Sequence, residues 1–312
     1  MARWLEGLIL PPGNGPVSLG PLNFLKRGVR QGLWPLLQRY IVFPRVFRLD
    51  PVPVSGTAGV TVHVLSCERD VTMLHWMLRS LLRVAGDHVR IQIHDDGSLT
   101  PQSIETTLLR FPGIRIVSRA EAVDRLMPLI ARYPRLKAWW PTTHWGIKWL
   151  DVYLLGDTRD MILLDSDALF FKRPDLLLES GGKTLWMKDS NYMLDLPPEA
   201  GPKLFVARRL PQLNSGVGRV DRSRFDLNIA ERLLEIVGKP RDDQTLHAII
   251  AARDPDSMLL PPQYDCAIER GLRDVVCKHY TNPFRFMYFE EGIPRAAKLL
   301  GLKLAPWLQE RP

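Results

Sequence analysis

The chain is poor in cysteine, has no glycosylation sequon and lacks any long unbroken apolar run. Its three cysteines, Cys67, Cys266 and Cys277, are odd in number and show no zinc spacing. That excludes a disulfide framework and a cysteine-rich zinc site. No Asn-x-Ser/Thr triplet with a non-proline middle residue occurs. Both absences fit a reducing cytoplasm better than secretion. Gly7 to Leu25 carries no charge, but Pro11, Pro12, Pro16 and Pro21 interrupt it. It has neither the continuity of a membrane span nor the layout of a signal peptide. Internal repeats, low-complexity tracts and nucleic-acid-binding motifs are also missing, so no nucleic-acid partner is expected. Acid is scarce at the start: Glu6 is the only one before Asp50, against Arg3, Lys26, Arg27, Arg30, Arg39, Arg45 and Arg48.

What is present is ordinary globular material. The 312 residues are 46% hydrophobic and 24% charged, enough for a sizeable core. The formal charge of +8 favours acidic partners such as nucleotides, phosphates or anionic lipid. Residues 1–55 form a basic extension interleaved with Phe24, Trp34, Tyr40, Phe43 and Phe47. Two readings are open for it: residues 1–50 lie on an anionic membrane surface, or the segment wraps the main domain and buries its aromatics there. "PVPVSGTAG" (51–59) reads as a linker.

From Val60 the pattern alternates strand and helix. Strands are expected at 60–65, 89–94, 114–118 and 161–165, and helices at 70–86, 100–111, 120–132 and 142–156. The fold class is therefore α/β, a single Rossmann-like domain with a mostly parallel central sheet flanked by helices. Further strands are expected at 184–189 and 212–220, and short ones in "SMLLPP" and "VVCKHY". Helices are expected at 224–238 and 242–253.

One stretch resists a purely structural reading. "RDMILLDSDALFF" (159–171) sets Asp165 and Asp167 inside an otherwise apolar run. Two carboxylates at i and i+2 of an extended segment point the same way and repel unless a cation sits between them. The competing reading is a turn, because Asp-Ser-Asp is good turn chemistry. Polar residues recur at other strand ends: Ser66-Cys67-Glu68 and Asp95-Asp96-Gly97-Ser98. In open α/β sheets ligands bind at those ends.

The ordered set "VHVLSCERD", "IHDDGS", "LLDSDALFFKRP", "LNSGVGRV", "DDQTLHAI" and "CKHY", spanning about residues 60–285, resembles nucleotide-sugar glycosyltransferases of the GT-A fold. The later motifs are most similar to the retaining family that includes glycogenin and bacterial lipopolysaccharide galactosyltransferases, whereas "DDGS" is closer to inverting families. The resemblance implies a GT-A domain over residues 56–290, a helical tail over 291–312 and a hexosyltransferase activity. It implies a nucleoside diphosphate donor, uridine diphosphate foremost, and a hydroxyl acceptor on a glycan or lipid-linked glycan.

It further implies that Asp165, Asp167 and His279 hold a divalent cation, which the imidazole tilts toward Mn²⁺ over Mg²⁺. Taken alone, His279 reads as a histidine at a strand end. Ser66, Glu68, Asp95, Asp96 and Ser166 are expected at the donor, with Glu68 and Asp95 meeting its base or ribose. Lys148 and Lys278 are each either a phosphate contact or an ordinary lysine. Asn214, Ser215 and Gly216 line the sugar pocket or form a strand bulge. Asp242, Asp243 and Gln244 carry the chemistry: an Asp as general base if configuration inverts, Gln244 or Asp243 beside the anomeric carbon if it is retained. One Asp is also expected to cap the helix that follows. Trp145 and Trp149 read as core rather than sugar platforms. Phe284, Phe286, Tyr288 and Phe289 read equally as a flap or as core.

Two other functions compete. A nucleotidyltransferase would need a glycine-rich basic loop after the first strand, and "SCERD" has no glycine. A non-catalytic, membrane-associated binding protein would use the basic start of the chain.

Overall fold

The computed structural model describes residues 33–55, 59–179, 181–189, 212–238, 243–266, 268–281 and 284–304. Asp242 and residues 1–32, named above, lie outside them.

A seven-stranded sheet runs in the order β3-β2-β1-β4-β7-β6-β8. Its strands are β1 (Thr61–Ser66), β2 (Arg90–Asp95), β3 (Arg115–Val117), β4 (Asp160–Leu164), β6 (Leu185–Lys188), β7 (Leu213–Asp221) and β8 (Met258–Leu259). Strands β3, β2, β1 and β4 are mutually parallel, with Val62 opposite both Ile91 and Ile162. β7 runs antiparallel to β4 and β6. The continuous apolar runs of β1 and β4 mark strands covered on both faces, and both are buried along nearly their whole length. A second sheet of three strands, β5 (Ala168–Phe170), β10 (Cys277–His279) and β9 (Tyr264–Cys266), has β10 at its centre. Sequence pattern missed β5 and β9, because three-residue strands carry too little periodicity to register.

Helices cover both faces of the large sheet. The apolar rows of α2 (Val71–Ala85) bury Leu74, Met77, Leu78 and Leu81 among Val62, Val64, Ile91 and Ile93. The other face holds α4 (Arg119–Ile130), α5 (Pro134–Trp139), α6 (His144–Leu155), α8 (Leu227–Val237) and α9 (Gln244–Arg253), packed through Trp139, Trp149 and Leu246. Thr100, Ser118 and Thr143 cap α3 (Pro101–Arg110), α4 and α6 with side-chain oxygens. The short α7 (Asp175–Glu179) follows β5.

A third core joins the two ends of the described chain. From α1 (Leu33–Leu37) the backbone stays wound through Gln38–Val42 and Phe43–Arg48. Val42 and Val46 are fully buried there against Trp76, Tyr288 and Phe289, beside α10 (Ile293–Leu299). The Trp76 indole donates to the Phe43 carbonyl at 2.9 Å, and Trp34 donates to the Glu290 carbonyl at 3.0 Å. Among the described residues no helix is long and apolar enough to cross a membrane.

Candidate active site

Asp165, Ser166 and Asp167 form the link between β4 of the large sheet and β5 of the small one. The stretch is a turn, closed by Ala168 N–H donating to the Asp165 carbonyl at 3.2 Å, and it also brings its two carboxylates together with His279. β10 pairs antiparallel with β5 and sets His279 opposite Ala168. Nε2 of His279 lies 2.9 Å from Asp167 and 3.5 Å from Asp165. One ligand atom from each of Asp165, Asp167 and His279 lies within 4.8 Å of the others.

The imidazole is oriented from behind. Its Nδ1–H donates to Oδ1 of Asn214 at 2.6 Å. The Asn214 amide is itself oriented, because its Nδ2 donates to Asp189 and to Gln244, both at 3.0 Å. That leaves Nε2 facing the carboxylates, the arrangement of a metal-ligating histidine with an outer hydrogen-bond partner. Gly216 belongs to this support. A Cβ on Gly216 would overlap the His279 ring, so only glycine lets the two strands approach.

Cations surround the acids. The Lys148 ammonium bridges Asp165 and Asp243, each at 2.8 Å, and donates to the Ser215 carbonyl at 3.3 Å. The Arg285 guanidinium grips Asp167 through Nε at 3.0 Å and a terminal nitrogen at 2.5 Å. Burial would raise the Asp167 carboxyl, but His279 and Arg285 outweigh it and hold it well below the usual range. Burial disfavours an imidazolium at His279, yet the two acids lift its pKa above 6.5. Burial likewise opposes the charge on Asp243, but Lys148 brings its pKa down to about 2.

The site opens into a cleft of about 690 Å³. Asp165, Asp167, Arg285, Lys148 and Asp243 line it together with Ser66, Glu68, Asp96 and Trp145. Ser166 is buried in its wall, and the buried Ser66 hydroxyl has no partner. Trp149 is core, whereas Trp145 stands half-buried in the cleft wall.

Several expectations need correction. Lys278 sits on the opposite side of β10 from His279. Its ammonium is fully buried and satisfied by Asp265, Glu291 and the carbonyls of Glu269 and Gly271, so it does not face the cleft. Asp243 occupies the N-cap position of α9 but makes no cap hydrogen bond, because its carboxylate turns to Lys148. Asp95 caps its own turn, accepting from Gly97 and Leu99, rather than opening toward a ligand. Both Glu68 oxygens are taken by α3, one by the Thr100 N–H and one by the Ser103 hydroxyl. Asn214 and Gln244 lie together as expected, tied to one another and to Asp189. Ser215 faces Gln244 through its N–H at 3.4 Å.

Two residues were missed. Arg285 gave a usable signal, a basic residue close downstream of His279. Asp189 gave none, since it ends a strand without any motif.

No family model matches the sequence, and no curated protein matches it. Solved structures do. The galactosyltransferase LgtC, in complex with donor and acceptor sugar analogues, aligns over 79% of this chain and 98% of its own, at 13% identity and a TM-score of 0.47. Mouse xyloside xylosyltransferase 1, in its apo form, aligns over 75% and 99%, at 15% identity and a TM-score of 0.48. The apo structure of the bifunctional glycosyltransferase WbbM aligns over 82% of this chain at 13% identity and a TM-score of 0.50. This chain spans only 53% of that protein. At such identities the likeness is one of fold, and with the strand order described above it shows that the chain has a GT-A glycosyltransferase fold.

Proposed function

We propose that this chain is a metal-dependent glycosyltransferase that moves a hexose from a nucleoside diphosphate, uridine diphosphate foremost, to a hydroxyl acceptor. The observation that carries the reading is the convergence of Asp165, Asp167 and His279 onto one point, although His279 lies 112 residues beyond Asp167 in the chain. Two carboxylates and one imidazole suit a hard divalent cation that tolerates nitrogen, Mn²⁺ ahead of Mg²⁺. When bound, such a cation acts as a Lewis acid that neutralises a departing diphosphate.

The chain's own residues do the rest. Asn214 holds His279 with Nε2 toward the acids. Lys148 and Arg285 bring two further positive charges to the same end of the cleft, where phosphate oxygens gather charge as the glycosidic bond breaks. With a diphosphate in place they have anionic partners besides the acids they hold in its absence.

The stereochemical outcome follows from Asp243. An inverting transfer needs a base to take the acceptor proton. A carboxylate with a pKa of about 2, locked to a buried lysine, is a poor one. Gln244 offers an amide in the same place and no base at all. These two facts support retention of configuration. Leu33–Arg48 packs on the domain, the wrapping alternative. The basic residues ahead of it, Arg3, Lys26, Arg27 and Arg30, support an acceptor presented at an anionic surface, such as a lipid-linked glycan.

The test is release of uridine diphosphate from uridine diphosphate hexoses in Mn²⁺. Asp165→Ala and Asp167→Ala are expected to abolish it, as is chelation. Turnover that survives both substitutions overturns the reading.

A further inference from the structure

The cleft lining is mostly polar and charged, and includes the acids, Lys148 and Arg285. Its apolar members are Leu65, on β1, and Trp145, at the start of α6. Both are only partly buried and pack on the same core cluster beneath. Among the described residues that line the cleft, Trp145 and His144 are the aromatic ones. Their rings pack on one another, centroids 4.3 Å apart and tilted by 45°.

Its spacing is informative. Trp145 and Lys148 are three residues apart on one helix and so share a face, with Cβ atoms about 5–6 Å apart. Lys148 touches Asp165 at 2.8 Å. A ligand whose phosphates sit at the acids and Lys148 therefore reaches Trp145 with whatever it carries one helical turn further along. Two polar lining residues are already committed: Glu68 gives both oxygens to α3, and Oδ1 of Asp96 accepts from the Ser98 N–H and hydroxyl. The lining also offers the flat ring of Trp145 and the unpartnered Ser66 hydroxyl.

Resting on the glycosyltransferase reading, we propose that Trp145 is the stacking platform for the donor's nucleobase, a specificity-determining residue one helical turn from Lys148. Stacking suits the place because every base has a flat π-face, and such contacts are worth about 1–3 kcal/mol per base. Trp145 packs on the core, as expected of it, and also lines the cleft, so the one indole can serve both.

The experiment is calorimetric binding in Mn²⁺ with three probes, uridine diphosphate, guanosine diphosphate and inorganic pyrophosphate, on the full chain. Trp145→Ala is expected to weaken uridine diphosphate by about 5- to 150-fold and leave pyrophosphate unchanged. Trp145→Phe is expected to retain most of the affinity, which separates a lost ring from a damaged fold. Equal loss for uridine diphosphate and pyrophosphate in Trp145→Ala overturns the proposal and makes the residue structural. Unchanged uridine diphosphate affinity, with a raised acceptor KM in turnover, overturns it in favour of an acceptor platform. If the native chain binds pyrophosphate but not uridine or guanosine diphosphate, the base platform fails while a phosphate-handling site stands. If it binds none of them, the glycosyltransferase reading fails as well.

Discussion

At the scale of single residues, Asp165 and Asp167 stood out because a carboxylate pair in an otherwise apolar stretch demands a partner or a turn. His279 alone reads as a strand-end histidine and joined them only through the family resemblance. What supports the trio was not legible. Asn214 looked like a sugar contact, since an amide at a strand centre suggests hydroxyl recognition; instead its carbonyl oxygen accepts from His279. Gly216 looked like a close approach to substrate, and what approaches is the imidazole. Both facts depend on which strands become neighbours, and β7 and β10 lie far apart in sequence. Asn214→Ala is expected to weaken Mn²⁺ binding about 10- to 100-fold while leaving the ligands in place. Calorimetric titration checks this, and an unchanged affinity would strip Asn214 of its orienting role.

At the scale of elements, long strands and amphipathic helices declared themselves. β1, β2 and β4 fall where apolar continuity puts them, within a residue or two. Of the small sheet only its central strand β10 was expected, within "VVCKHY"; the flanking three-residue strands are stabilised by pairing and burial rather than by pattern. Phe284, Phe286, Tyr288 and Phe289 were equally readable as flap or core; Tyr288 and Phe289 are buried in the third core cluster, and Phe284 and Phe286 pack against it. The segment Leu33–Arg48 completes that cluster, with Val46 fully buried. Val46→Asp places a carboxylate among Trp76 and Tyr288 without a partner, so it is expected to lower stability by roughly 3–5 kcal/mol. Urea unfolding measures it. A change below about 1 kcal/mol would mean that this segment is held only loosely on the domain.

For the whole molecule, buried histidines set the response to acid. Burial drives His63, His75 and His247 from an ordinary 6.5 down to about 3, and holds His94 well below 6.5. Each stays neutral when folded but takes a proton when unfolded below pH 6.5. Their contribution is therefore complete above that value and lost as pH falls toward 3. His279 works the other way: its raised pKa contributes below 6.5 and fades as pH rises. In mild acid His279 carries its proton in both states and takes up none. The four buried histidines then take up about four protons on unfolding, less about one that Asp151, raised by burial to about 6, gives back. Urea midpoints are expected to fall steadily between pH 6.5 and 4.5, and a flat profile would contradict the assignment. Finally, Asp167 is fastened to the small sheet twice, by Tyr280 N–H donating to its carbonyl at 3.1 Å and by its carboxylate on His279. Acid and imidazole thus travel as one rigid piece. A socket built this way is expected to keep its shape whether or not a cation fills it.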